Sequence, residues 1–429
     1  MKKIHEEFLH HIWKFRLFET EYLYFNKKKV KIIDPGIHND NSGPDFFNAR
    51  IYVEGTLWAG NVEVHVRASD WLRHGHQHDP AYDSVILHVV YDDDLEIYRQ
   101  SGEIIPQVRL NFSPALLDEY EKLTMKKTNP SCIGHIPGLD SLFFRDWLGK
   151  MMISRLTEKT GLLSGILKTG NNDWEDVLYR SFAMAFGFKL NAEPFRLLAS
   201  SVPLSFVMKN RQKPLTLNAA FFGQAGFLDE LLTDDPYYQM LQREYRPLSG
   251  LLPSPLPGKH IWKFSRSRPA GFPTNRIPQF IHFIAHQFPL FQELIKIEKL
   301  KDLRDLLKTS TSRHWVDHYL YGKPGRRQVT MLSTETIDVL IINAVIPFLF
   351  LYGKERKKDE MIQRTIEFLE ELPAENNGII KKWNKFGIQV HNAFDSQAVI
   401  QLETRYCKKR RCLKCSLGYS ILNRINEKR

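Results

Sequence analysis

Along Asn61-Val62-Glu63-Val64-His65-Val66-Arg67, valine alternates with polar residues. This is the period-2 pattern of a strand that sends Val62, Val64 and Val66 into a core and turns Glu63, His65 and Arg67 to the other face. Upstream, Ala49-Arg50-Ile51-Tyr52-Val53 reads as a partner strand, with Glu54-Gly55-Thr56 as the turn that joins them. Ser84-Val85-Ile86-Leu87-His88-Val89-Val90-Tyr91 is nearly continuous in apolar and β-branched residues, which predicts a central strand covered on both faces. His88, inside that run, is either a satisfied interior donor or a partner of a nearby site. Asp92-Asp93-Asp94 ends the run as a solvated turn.

Beyond residue 111 the pattern changes from alternation to helical spacing. Ser113 and Pro114 supply a cap and first-turn proline for a helix running toward Lys127. Helical spacing recurs from Leu142 through Leu156, from Asp173 through Tyr179, from Ala219 to Leu232 and from Tyr237 to Tyr245, and a Pro-rich hinge lies between Pro253 and Pro257. The aromatic and methionine positions in these segments read as helical core. The expected fold class is α+β: a mixed sheet flanked by helices in residues 1–110, then helical regions over 111–252 and 253–429, the last with a basic, Cys-rich tail. The apolar run from Ile337 to Tyr352 contains Asp338, Asn343 and Pro347 and predicts a buried helix, not a membrane span. Lys2-Lys3 leads into Ile4-His5-Glu6-Glu7 without a signal-peptide pattern, so a cytoplasmic protein with no membrane partner is expected.

The hairpin predicted above would bring Asp45, at the mouth of its first strand, beside Glu63 on the second. Two neighbouring carboxylates disfavour each other's ionisation unless a cation lies between them, and Mg²⁺ or Mn²⁺ is the expected hard-oxygen partner. Solvated carboxylates on an exposed sheet face are the alternative. His65 can orient or deprotonate water, and Arg67, on the same strand face, can clamp a phosphate. The following loop carries Arg73, His74, His76, His78 and Asp79. Its histidines can bind Zn²⁺, or with Arg73 contact a phosphate backbone, or serve local hydrogen bonding.

Within Asn41-Ser42-Gly43-Pro44-Asp45-Phe46, Pro44-Asp45 followed by Glu63-x-His65 resembles the PD-(D/E)XK nuclease superfamily. That resemblance covers roughly residues 1–110 and implies a restriction-endonuclease-like mixed sheet that cuts nucleic acid with divalent metal. By position, Asp45 and Glu63 would hold the metal and His65 stands where the superfamily has Lys, exchanging a permanent charge for an imidazole. Glu6 or Glu7 would add the acid that some members supply from the first helix. With Trp58-Ala59-Gly60-Asn61 and Ser69-Asp70-Trp71, the same stretch also resembles, over the full length, a bacterial family of Bacteroidetes-type proteins of unknown function.

Lys and Arg total 60 against 49 Asp and Glu, a formal charge of +11, which favours DNA or RNA as partner. Basic runs occur at Lys27-Lys28-Lys29, Arg356-Lys357-Lys358 and Lys408-Lys409-Arg410-Arg411. Arg266, Arg268 and Arg276, interleaved with aromatics, can contact phosphates and stacked bases or pin neighbouring helices. Cys407-x4-Cys412-x2-Cys415 and Cys132 are the only cysteines, and four thiolates suffice for a Zn²⁺ site or an iron–sulfur cluster. Some nucleases of the superfamily carry one upstream and three downstream cysteines around a cluster. No Walker loop or dinucleotide Gly pattern occurs. The expected function is a metal-dependent nuclease, with a noncatalytic nucleic-acid-binding or assembly protein on a degenerated nuclease core as the alternative.

Overall fold

The computed structural model describes residues 4–19, 23–39, 41–125, 130–138, 141–229, 235–264, 271–310, 313–316, 318–321, 323–324 and 331–427. The chain forms two compact units, Met1–Trp147 with Leu402–Arg429, and Leu148–Gln401. Composition changes at 110 and 252, whereas packing returns the C-terminal segment to the N-terminal unit.

The N-terminal unit opens with helix α1 (Glu6–Lys14), which has acids in its first turn and basic residues in its last, an arrangement that suits the helix dipole. Its Phe8, Leu9, Ile12 and Trp13 are buried, and α1 packs against strand β5. The sheet strands are β1 (Tyr24–Phe25), β2 (Lys28–Asp34), β3 (Ile37–His38), β4 (Phe46–Val53), β5 (Thr56–Arg67), β6 (Val85–Asp92) and β7 (Gln107–Arg109). Their order is β1-β2-β4-β5-β6-β7, with β3 paired to β4. The β4–β5 hairpin turns at Glu54 and Gly55, whose φ values are 49° and 83°, as a two-residue hairpin turn with both φ positive requires. From β5 to β7 the strands run parallel, so the sheet is mixed and the fold is α+β, as its hydrophobic patterning predicts.

A parallel β5–β6 pair needs a crossover. It is supplied by the short helix α2 (Asp70–Arg73) and two 3-10 turns, His76–His78 and Pro80–Tyr82. Trp71, Tyr82, Val85, Val90, Ile97 and Ile105 form a buried cluster beneath it. The crossover also changes the expected character of β5. Val62 and Val64 are buried as predicted, but so are Glu63 (4% exposed) and His65 (0%) on the opposite face. Helix α3 (Pro114–Met125) follows β7, its Tyr120 stacked on Phe8 at 4.6 Å between ring centroids.

The second unit is mainly helical. Its longest apolar run, Thr334–Arg356, contains a π-helical turn at Ile341–Val345. It is the one helix among the described residues long and apolar enough to cross a membrane, and 78% of its apolar window is buried within the protein. Asp338 in this run is held by a bidentate contact from Arg304 at 2.7 and 3.0 Å, which satisfies an otherwise isolated buried acid.

Candidate functional site

Asp45 enters β4 through a shaped turn. Gly43 has φ +94°, a conformation that favours glycine. The side-chain amide of Asn39 donates to the carbonyls of Asn41, Ser42 and Pro44 at 3.2, 3.0 and 3.1 Å. Asp45 and Glu63 are then clasped across the hairpin: the Asp45 N–H donates to Glu63 Oε2 and the Val64 N–H donates to Asp45 Oδ2, both at 3.0 Å. From α1, His10 Nε2 lies 3.2 Å from Asp45 Oδ2. One helical turn earlier, Glu6 Oε1 lies 3.9 Å from His65 Nε2.

The remaining corner is built of imidazoles. Glu63 Oε1 is 3.2 Å from His76 Nε2 and 3.6 Å from His65 Nε2, and His65 Nε2 is 3.1 Å from His74 Nδ1. The crossover delivers His74 and His76, and the 3.8 Å stack of His76 on Tyr82 fixes its ring. The nitrogens of His65, His74 and His76 lie within 4.8 Å of one another. Two nitrogens on one tetrahedral metal stand about 3.4 Å apart, so this group is compact enough to share an ion.

The tautomer of His65 follows from a chain of donors. Gln107 Nε2 faces two acceptors, Asp93 Oδ1 and Leu95 O, so its Oε1 is the end turned to His88 Nδ1, 2.8 Å away. His88 therefore donates from Nδ1 and accepts at Nε2. Its partner at 2.8 Å is His65 Nδ1, which must donate. That leaves the His65 lone pair on Nε2, aimed at His74 and Glu63, as a metal ligand or base requires. The register aligns this relay, since Glu63 pairs with His88 across β5–β6 and His88 with Gln107 across β6–β7.

Electrostatics match the geometry. Burial, then the neighbouring Asp45 charge, pushes the Glu63 carboxyl up to about 9. Burial pulls His65 down to about 2, helped by the nearby histidines, and pulls His88 down to about 4, so both rings are neutral. Burial also lowers His76. For His10 burial opposes the charge, but the hydrogen bond and negative charge of Asp45 outweigh it and raise the group. Burial raises Glu6 as well.

Of the residues singled out in the sequence, Asp45, Glu63, His65, His74 and His76 converge here. Arg67 is exposed at the end of β5, where its charge acts on Asp94. Arg73 is exposed and paired with Asp70 at 2.9 Å, and His78 is exposed. Arg276 belongs to the helical unit, its guanidinium 4.4 Å over the Phe188 ring and bonded to Gln279 at 2.9 Å. Arg266 and Arg268 lie outside the described residues. His10 and Gln107 carried no sequence signal of their own; a histidine one turn after Glu6 on an amphipathic helix was the available hint for His10.

The four cysteines line one cavity of about 20 Å³, together with Trp147, Tyr406 and Gly418. Cys407 ends a π-helical turn, and Cys412 opens and Cys415 caps a 3-10 turn ahead of the helix Ser416–Glu427. Gly418 sits so close to this turn that a Cβ would fall 2.0 Å from Cys412 O. Burial, then the neighbouring thiols, pushes Cys132 up to about 12. Burial and Cys415 push Cys412 up to about 11, and burial raises Cys407 and Cys415 too. The N–H groups of Gly418 and Leu417 point at the Cys415 sulfur and partly offset its shift. Four thiols, Cys415 buried and the others half-buried, that resist ionisation together are the donor set that a bound cation would ionise.

The model of the DUF2851 family, described as a protein of unknown function, matches residues 6–378, and the chain belongs to that family. Comparison with curated proteins and with solved structures returns no match. The family description carries no activity, and none of these comparisons relates the chain to a nuclease.

Proposed function

We propose that this DUF2851 chain is a metal-dependent hydrolase of nucleic acid phosphodiesters, with a divalent ion held among Asp45, Glu63, His65, His74 and His76. The observation that carries the reading is Glu63: a carboxylate buried against Asp45, with its Oε1 facing two imidazole nitrogens that burial holds neutral. Burial beside Asp45 keeps the proton on Glu63, and an ion in the midst of these groups would displace that proton and balance the carboxylate. The histidines also favour Mn²⁺ or Zn²⁺ over Mg²⁺, which prefers an all-oxygen shell.

When bound, the ion would supply charge neutralisation at a phosphate and a water acidified toward neutral pH. The chain's own groups do the rest. The relay from Gln107 through His88 keeps the His65 lone pair at the site. Asp45 and Glu63 set its negative charge. His10, raised by the Asp45 carboxylate against the effect of burial, is placed to give a proton to a leaving oxygen.

For the cysteine cavity we propose a bound Zn²⁺ or iron–sulfur cluster, since Cys132, Cys407, Cys412 and Cys415 line one cavity and four thiolates suit either group.

The test is cleavage of single-stranded, duplex and branched DNA and RNA by anaerobically purified protein with Mn²⁺, Zn²⁺ or Mg²⁺, beside Asp45→Ala. Cleavage lost in the variant, with the melting transition retained, is the expected result. Wild-type protein that binds but never cuts would return the reading to a noncatalytic nucleic-acid-binding protein.

A further inference from the structure

A cleft of about 910 Å³ lies in the N-terminal unit, and its two walls come from opposite ends of that unit's sequence. One wall is α1, with Lys14 and Phe15. The other is the cysteine-held tail, with Lys409, Arg411, Lys414 and Tyr419. At one end the lining includes His10, His38 and Asn39. His10 touches the Asp45 carboxylate at 3.2 Å and Asn39 holds the turn that presents Asp45, so the cleft opens onto the candidate metal site.

The tail wall is preformed. Lys408, Lys409 and Arg411 donate their backbone N–H groups to Glu403 O, Tyr406 O and Tyr406 O at 2.9, 3.2 and 3.0 Å. Arg410 takes φ 53°, and its guanidinium reaches across to Thr124 O at 3.1 Å. This pins the loop to α3 and leaves Lys409 and Arg411 exposed on either side of the anchor. On the floor, Phe15 and Tyr419 lie 4.2 Å apart between ring centroids, with His11 4.7 Å from Phe15. Burial holds His11 down to about 4, so it adds a neutral ring, not a charge.

We propose that this cleft is the track for a single-stranded polynucleotide, leading it past Lys409, Arg411 and Lys14 to the Asp45 site. The proposal deepens the hydrolase reading and rests on it for the identity of the site at the cleft's end. Cations along one wall and rings on the floor are what a single strand uses, because its phosphates and its base faces are both available. A duplex hides its base faces within the stack and would present none of them to the Phe15–Tyr419 pair. A flat bilayer cannot enter a concave wall, and an acidic peptide has carboxylates but few rings to stack. The inference also gives the cysteine cavity a purpose: it fixes the loop that carries the cations.

The test measures anisotropy of a labelled single strand, without added divalent ion, at several salt concentrations. Wild type is compared with Lys409→Glu/Arg411→Glu, with Tyr419→Ala, and with Lys357→Glu/Lys358→Glu as an equal charge reversal on the other unit. The tail pair should weaken binding at least about tenfold and lower the salt slope by about 1.4, while the control stays within about twofold. Tyr419→Ala should weaken single-strand binding and leave the salt slope unchanged. Tighter binding to a duplex of equal length, equal competition by polyglutamate, or the same loss in the control would each overturn the proposal. Wild type and Asp45→Ala that are equally inert in cleavage, with strand binding still governed by the tail pair, would sink the hydrolase reading and leave the cleft standing. Cleavage that the tail pair does not alter would do the reverse.

Discussion

Loading the Asp45–Glu63 site with a divalent ion should release the Glu63 proton, and the size of the effect follows from its surroundings. With its carboxyl pushed up to about 9, Glu63 is protonated at pH 7 in the metal-free protein, and ionising it there costs roughly 3 kcal/mol. A ligand that must be charged to bind passes that cost to the ion. Affinity should therefore rise nearly tenfold per pH unit from pH 7, levelling toward pH 9, or about 25-fold between pH 7 and 8.5. That window lies above the range of an ordinary imidazole, and His65 and His76 are already neutral within it. Asp45 raises His10 and helps burial raise Glu6, and either can add a second proton, so the measurement belongs in a His10→Gln/Glu6→Gln background. Titration calorimetry with Mn²⁺ in buffers of different ionisation enthalpy reads both the affinity and the proton count. One proton per ion is expected. A flat affinity across the window, with no proton released, would mean that Glu63 is ionised before the ion arrives or never ligates it, and the account of the site would fail.

Two further outcomes test other parts of the molecule. Cys407→Ser or Cys412→Ser should lose the bound iron or zinc and lower the melting midpoint by at least about 5 °C, read by metal analysis and calorimetry; an unchanged midpoint in metal-loaded protein would refute the staple. In the helical unit, Lys159 is buried with its Nζ on Ile342 O, Asn343 Oδ1 and Gln397 Oε1 at 3.3, 3.0 and 2.8 Å, and burial, then Arg155, pulls it down to about 7. Between pH 7 and the ordinary lysine range the unfolded chain carries a proton that the folded chain lacks, so stability rises with pH across that window. Relative to Lys159→Met, the wild type should gain about 2 kcal/mol from pH 7 to 9 in denaturant melts; a constant difference would place the lysine charge elsewhere.

Local rules made much of the sheet legible. The alternation over Asn61–Arg67, the Glu54-Gly55 turn and the apolar run that became β6 each depend on neighbours within a few residues, and the structure has all three. The same rules put Glu63 and His65 on one face. They could not say that this face is closed, because its cover is a crossover whose path is set by the parallel β5–β6 pairing. Nor could they find Gln107, which matters only because β6 and β7 pair in the register that sets it against His88.

The lone histidine of the apolar strand marks where local reading ended. In a sheet covered on both faces a buried imidazole needs partners for both nitrogens, and the sequence offers no way to tell a structural partner from a functional one. Here Gln107 occupies one nitrogen and His65 the other. Satisfying His88 is therefore the same act as setting the tautomer of His65. Gln107→Ala would free His88 to turn its donor toward His65 and so place a proton on the nitrogen that faces Glu63. Its expected signature is a loss of metal affinity at a position that touches neither metal nor substrate, with the melting midpoint little changed, and a shifted imidazole tautomer in the nitrogen NMR spectrum would identify the cause.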